Sequence, residues 1–110
     1  MPVYMYQGTY SRESISALVE NPQNRTAAVS SVVEANGGKL IGCWMAFGEY
    51  DLVAIADMPD DEAMAGVSLA VSAVGTASSS KTTKLLTMDQ AVEAMKNAQG
   101  VVKSYSPPSK

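Results

Sequence analysis

The chain has 110 residues, a size that holds one domain around one core. Its 46% apolar and 17% charged residues exclude an intrinsically disordered chain. Eight scattered Lys and Arg against a net charge of -3 provide no basic stripe for nucleic acid, and no apolar run approaches the ~20 residues of a membrane span.

Val3 to Tyr10 alternates Val3, Met5, Gln7 and Thr9 with Tyr4, Tyr6, Gly8 and Tyr10, which predicts a strand. Ser11 suits a helix N-cap, and Ile15, Leu18 and Val19 follow at helical spacing. Asn21-Pro22 interrupts that helix and predicts the start of a second, with Asn21 as its cap and Pro22 in its first position. Ala28, Val29, Val32, Val33 and Asn36 share one flank of this second helix, which Gly37-Gly38 ends in the left-handed conformation of a helix C-terminus.

Lys39 to Phe47 and Asp51 to Met58 predict two strands joined by Gly48-Glu49-Tyr50, a hairpin-loop length. Pairing Phe47 with Asp51 would set Trp44 opposite Ala54 and Met45 opposite Val53. Both runs are apolar on both faces, and such strands need cover on both sides. The helices supply cover for one face. The other, expected to carry Trp44 and Tyr6, is expected to be covered by a second copy of the chain.

Pro59-Asp60-Asp61-Glu62 opens a helix whose acids suit the positive end of its dipole. Ala63, Met64, Val67, Ala70, Val71 and Val74 form its buried stripe, Gly75 closes it, and small residues such as Gly66 invite a close approach. Thr76 to Leu86 predicts a polar strand. Thr87 and Gln90 make a capping box that starts a last helix, with Met88, Ala91, Val92, Met95 and Ala98 inward and Gly100 as its stop. The domain is placed at residues 1–100, with a flexible C-terminal tail at 101–110. The order βαββαβ plus a C-terminal helix is a ferredoxin-like arrangement of the α+β class.

Residues able to do chemistry are few. Histidine is absent, which removes the commonest general base and metal ligand. The lone Cys43 cannot form an internal disulfide and reads as core, consistent with a soluble, cytoplasmic protein. Asp57, Asp60, Asp61 and Glu62 are explained by a helix start, so neither a metal nor a cofactor is expected. Tyr4, Tyr6, Tyr10 and Trp44 concentrate aromatic surface on two strands, as an interface core or as the wall of a ligand chamber. Arg25 has Asn21, Pro22, Ala28 and Val29 at helical spacing, none of which neutralises it, and can reach Asp51, Glu49 or an anionic ligand. In the hairpin, Gly48 makes the turn and Asp51 accepts backbone N–H bonds, or Tyr50 and Asp51 line a pocket at a subunit interface. Tyr4, Tyr6, Arg25, Trp44, Glu49, Tyr50 and Asp51 are therefore the candidate ligand-binding residues, and no residue is assigned to catalysis.

With Gly48, Tyr50 and Asp51 in this place, the chain resembles the GYD domain family, small proteins of largely unassigned function. Pro2-Val3-Tyr4-Met5, Asn24-Arg25, Gly37-Gly38-Lys39, Met58-Pro59-Asp60 and Leu86-Thr87 carry the likeness over residues 2–99. The resemblance implies a dimeric α+β barrel, two ferredoxin-like sheets packed face to face, and supplies no catalytic mechanism. The hairpin followed by Asp60-Asp61-Glu62-Ala63 is also similar to the effector-binding domain of Lrp/AsnC-type regulators, without their DNA-binding domain.

Two classes of function follow. The first is a non-enzymatic homodimer or larger even oligomer, with a small-molecule cavity between each sheet and its partner. The alternative is a cofactor-independent isomerase or monooxygenase of the dimeric-barrel type, acting on a small aromatic or polyketide-like substrate. Tyrosine, Asp51, Glu49 or Arg25 would then do proton chemistry without histidine.

Overall fold

A computed structural model describes residues 1–109, and Lys110, the end of the expected tail, lies outside the described residues. The elements are β1 (Val3–Tyr10), α1 (Arg12–Glu20), α2 (Thr26–Ala35), β2 (Lys39–Met45), β3 (Leu52–Asp57), α3 (Asp61–Ala73), β4 (Ala77–Leu85) and α4 (Met88–Val102). The strands form one sheet in the order β2-β3-β1-β4, with every neighbouring pair antiparallel. This is the expected ferredoxin-like α+β arrangement.

Pairing across β1 sorts the two faces. Tyr6 pairs with Ala54 and Thr82, Tyr4 with Ala56 and Lys84, and these residues face the helices. Val33 of α2 and Met64 and Val67 of α3 close on Tyr4, Tyr6, Ala54 and Ala56, with Met58 fully buried, to make the core. Val3, Met5, Val53 and Ile55 lie on the opposite face, and none of them is fully buried. β3 is thus apolar on both sides while helices cover one. Tyr6 does not share the open face with Trp44 as expected, because it alternates with Met5 and Gln7 and falls on the helix side.

The β2–β3 register differs by one residue from the expected one. Trp44 pairs with Val53 and Met45 with Leu52, and Ala46 N–H donates to the Asp51 carbonyl at 2.7 Å. Asp51 is held from a third strand: its N–H donates to the Gly8 carbonyl of β1 at 2.9 Å. The hairpin loop therefore does not set the pairing alone. The pairing shifts again between Leu40 and Gly42, where Ile41 is the extra residue of a bulge. Trp44 lies over Gly42 on the open face; a Cβ there would sit 2.8 Å from the indole. β2 ends at Met45 and β3 spans Leu52–Asp57, so Phe47 and Met58 fall outside them.

Helix ends follow cap chemistry, with two departures. Ser11 Oγ accepts from Ser14 N–H at 3.2 Å, and Asp60 Oδ1 from Ala63 N–H at 2.8 Å. α2 starts at Thr26 rather than Pro22, because Asn24 Oδ1 accepts the Thr26 N–H at 2.9 Å and keeps the preceding residues out of the helix. Gly37 and Gly75 take φ of +82° and +77° after α2 and α3. The close approach to α3 comes from the Asn36 side chain, whose Oδ1 would lie 2.9 Å from a Cβ on Gly66. The buried stripe of α3 is Met64 and Val67, while Ala70 and Val74 are exposed.

α4 begins at the expected capping box, with Thr87 Oγ1 accepting from Gln90 N–H and Gln90 Oε1 from Thr87 N–H. It runs through Gly100 to Val102, since one glycine costs a helix only about 1 kcal/mol. It has no buried residue, so Met88, Ala91, Val92, Met95 and Ala98 do not pack inward. α4 projects from the domain: the molecule measures 59 × 36 × 21 Å and its radius of gyration is 17.8 Å. A compact chain of this length would have about 13 Å.

Candidate functional site

α2 and α3 do not fill the space they enclose with the sheet. A cavity of about 280 Å³ lies between them, walled by Val29, Val32 and Val33 of α2, Met64, Val67 and Val71 of α3, and Leu52, Ala54 and Ala56 of β3. Tyr4, Tyr6 and Tyr10 of β1 form its base. The walls are almost entirely aliphatic and aromatic, the usual character of a small-molecule pocket.

The topology gives the cavity a polar mouth. β1 and α3 end, and α2 and β4 begin, at the same end of the molecule, which brings Tyr10, Arg25, Val74 and Thr76 together there. At the other end the Tyr4 hydroxyl donates to Asp61 Oδ1, which also accepts from Lys84 Nζ at 3.0 Å. The Asp61 carboxylate holds Tyr4 up to about 12, and Tyr4 and Lys84 together hold Asp61 below its ordinary value. This cluster ties β1, α3 and β4 across the base of the cavity.

Tyr6 supplies a hydroxyl that is buried with no hydrogen-bond partner among the described residues. Its ring lies over Gly8, where a Cβ would approach Tyr6 Cε1 to 2.8 Å, so the absence of a side chain at Gly8 lets the ring lie flat. Burial pushes the Tyr6 phenol up; the nearby Ser80 partly opposes this but stands outside hydrogen-bond geometry. Tyr10 is likewise pushed up by burial, with Arg25 partly opposing. Arg25 precedes the first turn of α2, and its guanidinium donates to the neutral Gln23 Oε1 at 3.0 Å.

The Gly48-Glu49-Tyr50-Asp51 turn stands beside the mouth and builds it without lining the cavity. Asp51 Oδ2 accepts the Tyr10 N–H at 3.0 Å, fixing the last residue of β1 where the pairing with β3 has ended. The Glu49 carbonyl accepts from Thr9 Oγ1 at 2.6 Å, so its backbone is engaged and its side chain is exposed. Gly48 has φ of +143°, a value that side chains rarely allow. Tyr50 is half-buried in the turn and borders neither this cavity nor the groove described next.

Of the seven candidate residues, the cavity gathers Tyr4, Tyr6 and Arg25. A more open groove of about 500 Å³ beside α1 is bordered by Arg25, Trp44 and Asp51 together with Ile15 and Leu18. Arg25, Tyr10 and Leu52 border both spaces. The apolar stripe of α2 was legible as one flank of the helix, but its role as a cavity wall was not. That role depends on how far α3 stands away, which no local pattern encodes.

No curated protein shows a significant sequence match to this chain. The sequence profile of the GYD domain matches residues 4–95, from β1 through the first half of α4, and includes every residue named at the cavity and the turn. The chain belongs to the GYD domain family.

Proposed function

We propose that this chain is a non-enzymatic binding module that holds a small, largely apolar molecule between α2, α3 and the sheet. The observation that carries the proposal is the 280 Å³ cavity with apolar walls, with Arg25, Tyr10 and Thr76 at its mouth. A dry cavity of about 150 Å³ accepts benzene, so this one suits a two-ring body. The raised Tyr6 and Tyr10 phenols stay protonated at neutral pH, which makes them hydrogen-bond donors rather than bases. The same chain would assemble through the open face of its sheet, where Val3, Met5, Trp44, Val53 and Ile55 have no helix over them. The free thiol of Cys43 suits a reducing compartment such as the cytoplasm.

Titration calorimetry with the neutral probe 2-naphthalenemethanol tests the cavity. The wild-type chain should bind it, and Val71→Phe, which fills the space, should weaken binding at least tenfold with the circular dichroism spectrum unchanged. Ala28→Leu, at a half-buried position of the α2 wall, is the milder filler should Val71→Phe disturb the core. Absence of binding to the wild type, or equal binding by the filled variants, would overturn the proposal.

A further inference from the structure

Resting on that binding proposal, we infer that the molecule this cavity takes carries an acidic group, seated at the mouth against Arg25 with its apolar body directed inward. Three observations converge on this. Among the described residues Arg25 is the only charged side chain bordering the cavity, and it stands at one end with Tyr10 and Thr76. Its side-chain partner is the neutral Gln23 amide, and the ion pairs among the described residues are Lys84 with Asp61 and Lys96 with Glu93, so no carboxylate among the described residues neutralises it. The inner walls from Val29 to Met64 are apolar and would receive hydrocarbon but not a charge.

The guanidinium fork matches a carboxylate with two parallel N–H donors, and the raised Tyr10 phenol remains a donor beside it. Asp51 shares the groove with Arg25 but does not border the cavity; its Oδ2 accepts the Tyr10 N–H, and it forms no ion pair with Arg25. The ligand class is therefore a small aromatic or alicyclic carboxylic acid. A cationic ligand would have to place its charge beside Arg25.

A charge series on one body separates this inference from the cavity proposal. 2-Naphthoate, 2-naphthalenemethanol and 2-naphthylmethylammonium are titrated into the wild-type chain and into Arg25→Gln by calorimetry. Arg25 is exposed and makes no side-chain cap bond, so the variant keeps its fold. The acid should bind at least tenfold more tightly than the alcohol, and the ammonium weakest. Arg25→Gln should bring the acid down to the level of the alcohol and leave the alcohol unchanged. Equal binding of acid and alcohol, or equal weakening of all three by Arg25→Gln, overturns the charge inference and leaves the cavity proposal standing. No binding by any of the three removes both.

Discussion

Gly48 and Asp51 divide the work of the turn. Gly48 supplies a backbone angle of +143° in open space, with no atom within 4 Å of where a Cβ would stand. The cost of a side chain there is therefore conformational rather than steric crowding. Gly48→Val should destabilise by about 1–3 kcal/mol. Asp51→Ala should cost about 1–2 kcal/mol through the lost bond to the Tyr10 amide. Urea unfolding measures both, and a Gly48→Val midpoint equal to wild type would contradict this account. At the other end of the cavity, Tyr4 and Asp61 make stability depend on pH from two sides. Asp61 is lowered on folding, so its contribution is present above the unfolded carboxylate range and is lost as pH falls through the folded value. Tyr4 is raised to about 12, so its contribution is whole below about pH 10 and is lost as pH rises toward 12. Unfolding curves across pH should show both slopes in the wild type, and Tyr4→Phe should remove the alkaline one and reduce the acid one. Unaltered slopes in the variant would show that the pair is not responsible.

Neither α1 nor α4 has a fully buried residue, but α1 has Ile15 and Leu18 half-buried whereas only Ala91 of α4 is. The capping box and the helix-forming residues of α4 support it locally, while Met88, Met95 and Val102 remain exposed. Thr87→Ala should cost about 1 kcal/mol of local helix stability. The loss should appear as faster amide exchange within α4, with the thermal midpoint of the sheet and its two core helices nearly unchanged. A large drop in that midpoint would mean that α4 is packed in solution against something the single chain does not provide. β2 offers a contrast. Its pairing is fixed by Asp51 and by the bulge at Ile41, so it presents Trp44, Met45 and the following Phe47 outward.

For the whole molecule the open sheet face decides the outcome. Val3, Met5, Val53 and Ile55 form an apolar surface with Trp44 at its edge, and Trp44 is 55% exposed. An obligate interface there would bury on the order of 2,000 Å² or more in total. Sedimentation at micromolar concentration should give at least a dimer rather than the 11.5 kDa monomer. Because the indole lies on this face and not in the core, Trp44→Asp should shift the chain toward monomer while preserving its helix content. A wild-type monomer would sink the assembly proposal without touching the cavity, which belongs to one chain.

What the sequence determined by itself is whatever depends on residues a few positions apart. The alternation in Val3–Tyr10, the caps at Ser11, Asp60 and Thr87, and the left-handed glycines Gly37 and Gly75 all act within a turn or two of chain. They gave the element order, and from the order came the ferredoxin-like topology. The start of α2 escaped this reading although it too is local, because the Asn24 side chain takes the Thr26 N–H just ahead of the helix and nothing in the sequence ranks Asn24 above Asn21. Tertiary structure decided the rest through contacts between distant segments. Asp51 reaches Tyr10 across 41 residues and Tyr4 reaches Asp61 across 57, and these bonds hold the end of β1 beside the turn and tie β1 to α3. The split of Tyr6 and Trp44 between opposite faces is likewise a matter of which strand pairs with which residue. The cavity has the same origin: side-chain volume along α2 and α3 is local, but the space between them is set by how both helices sit on the sheet.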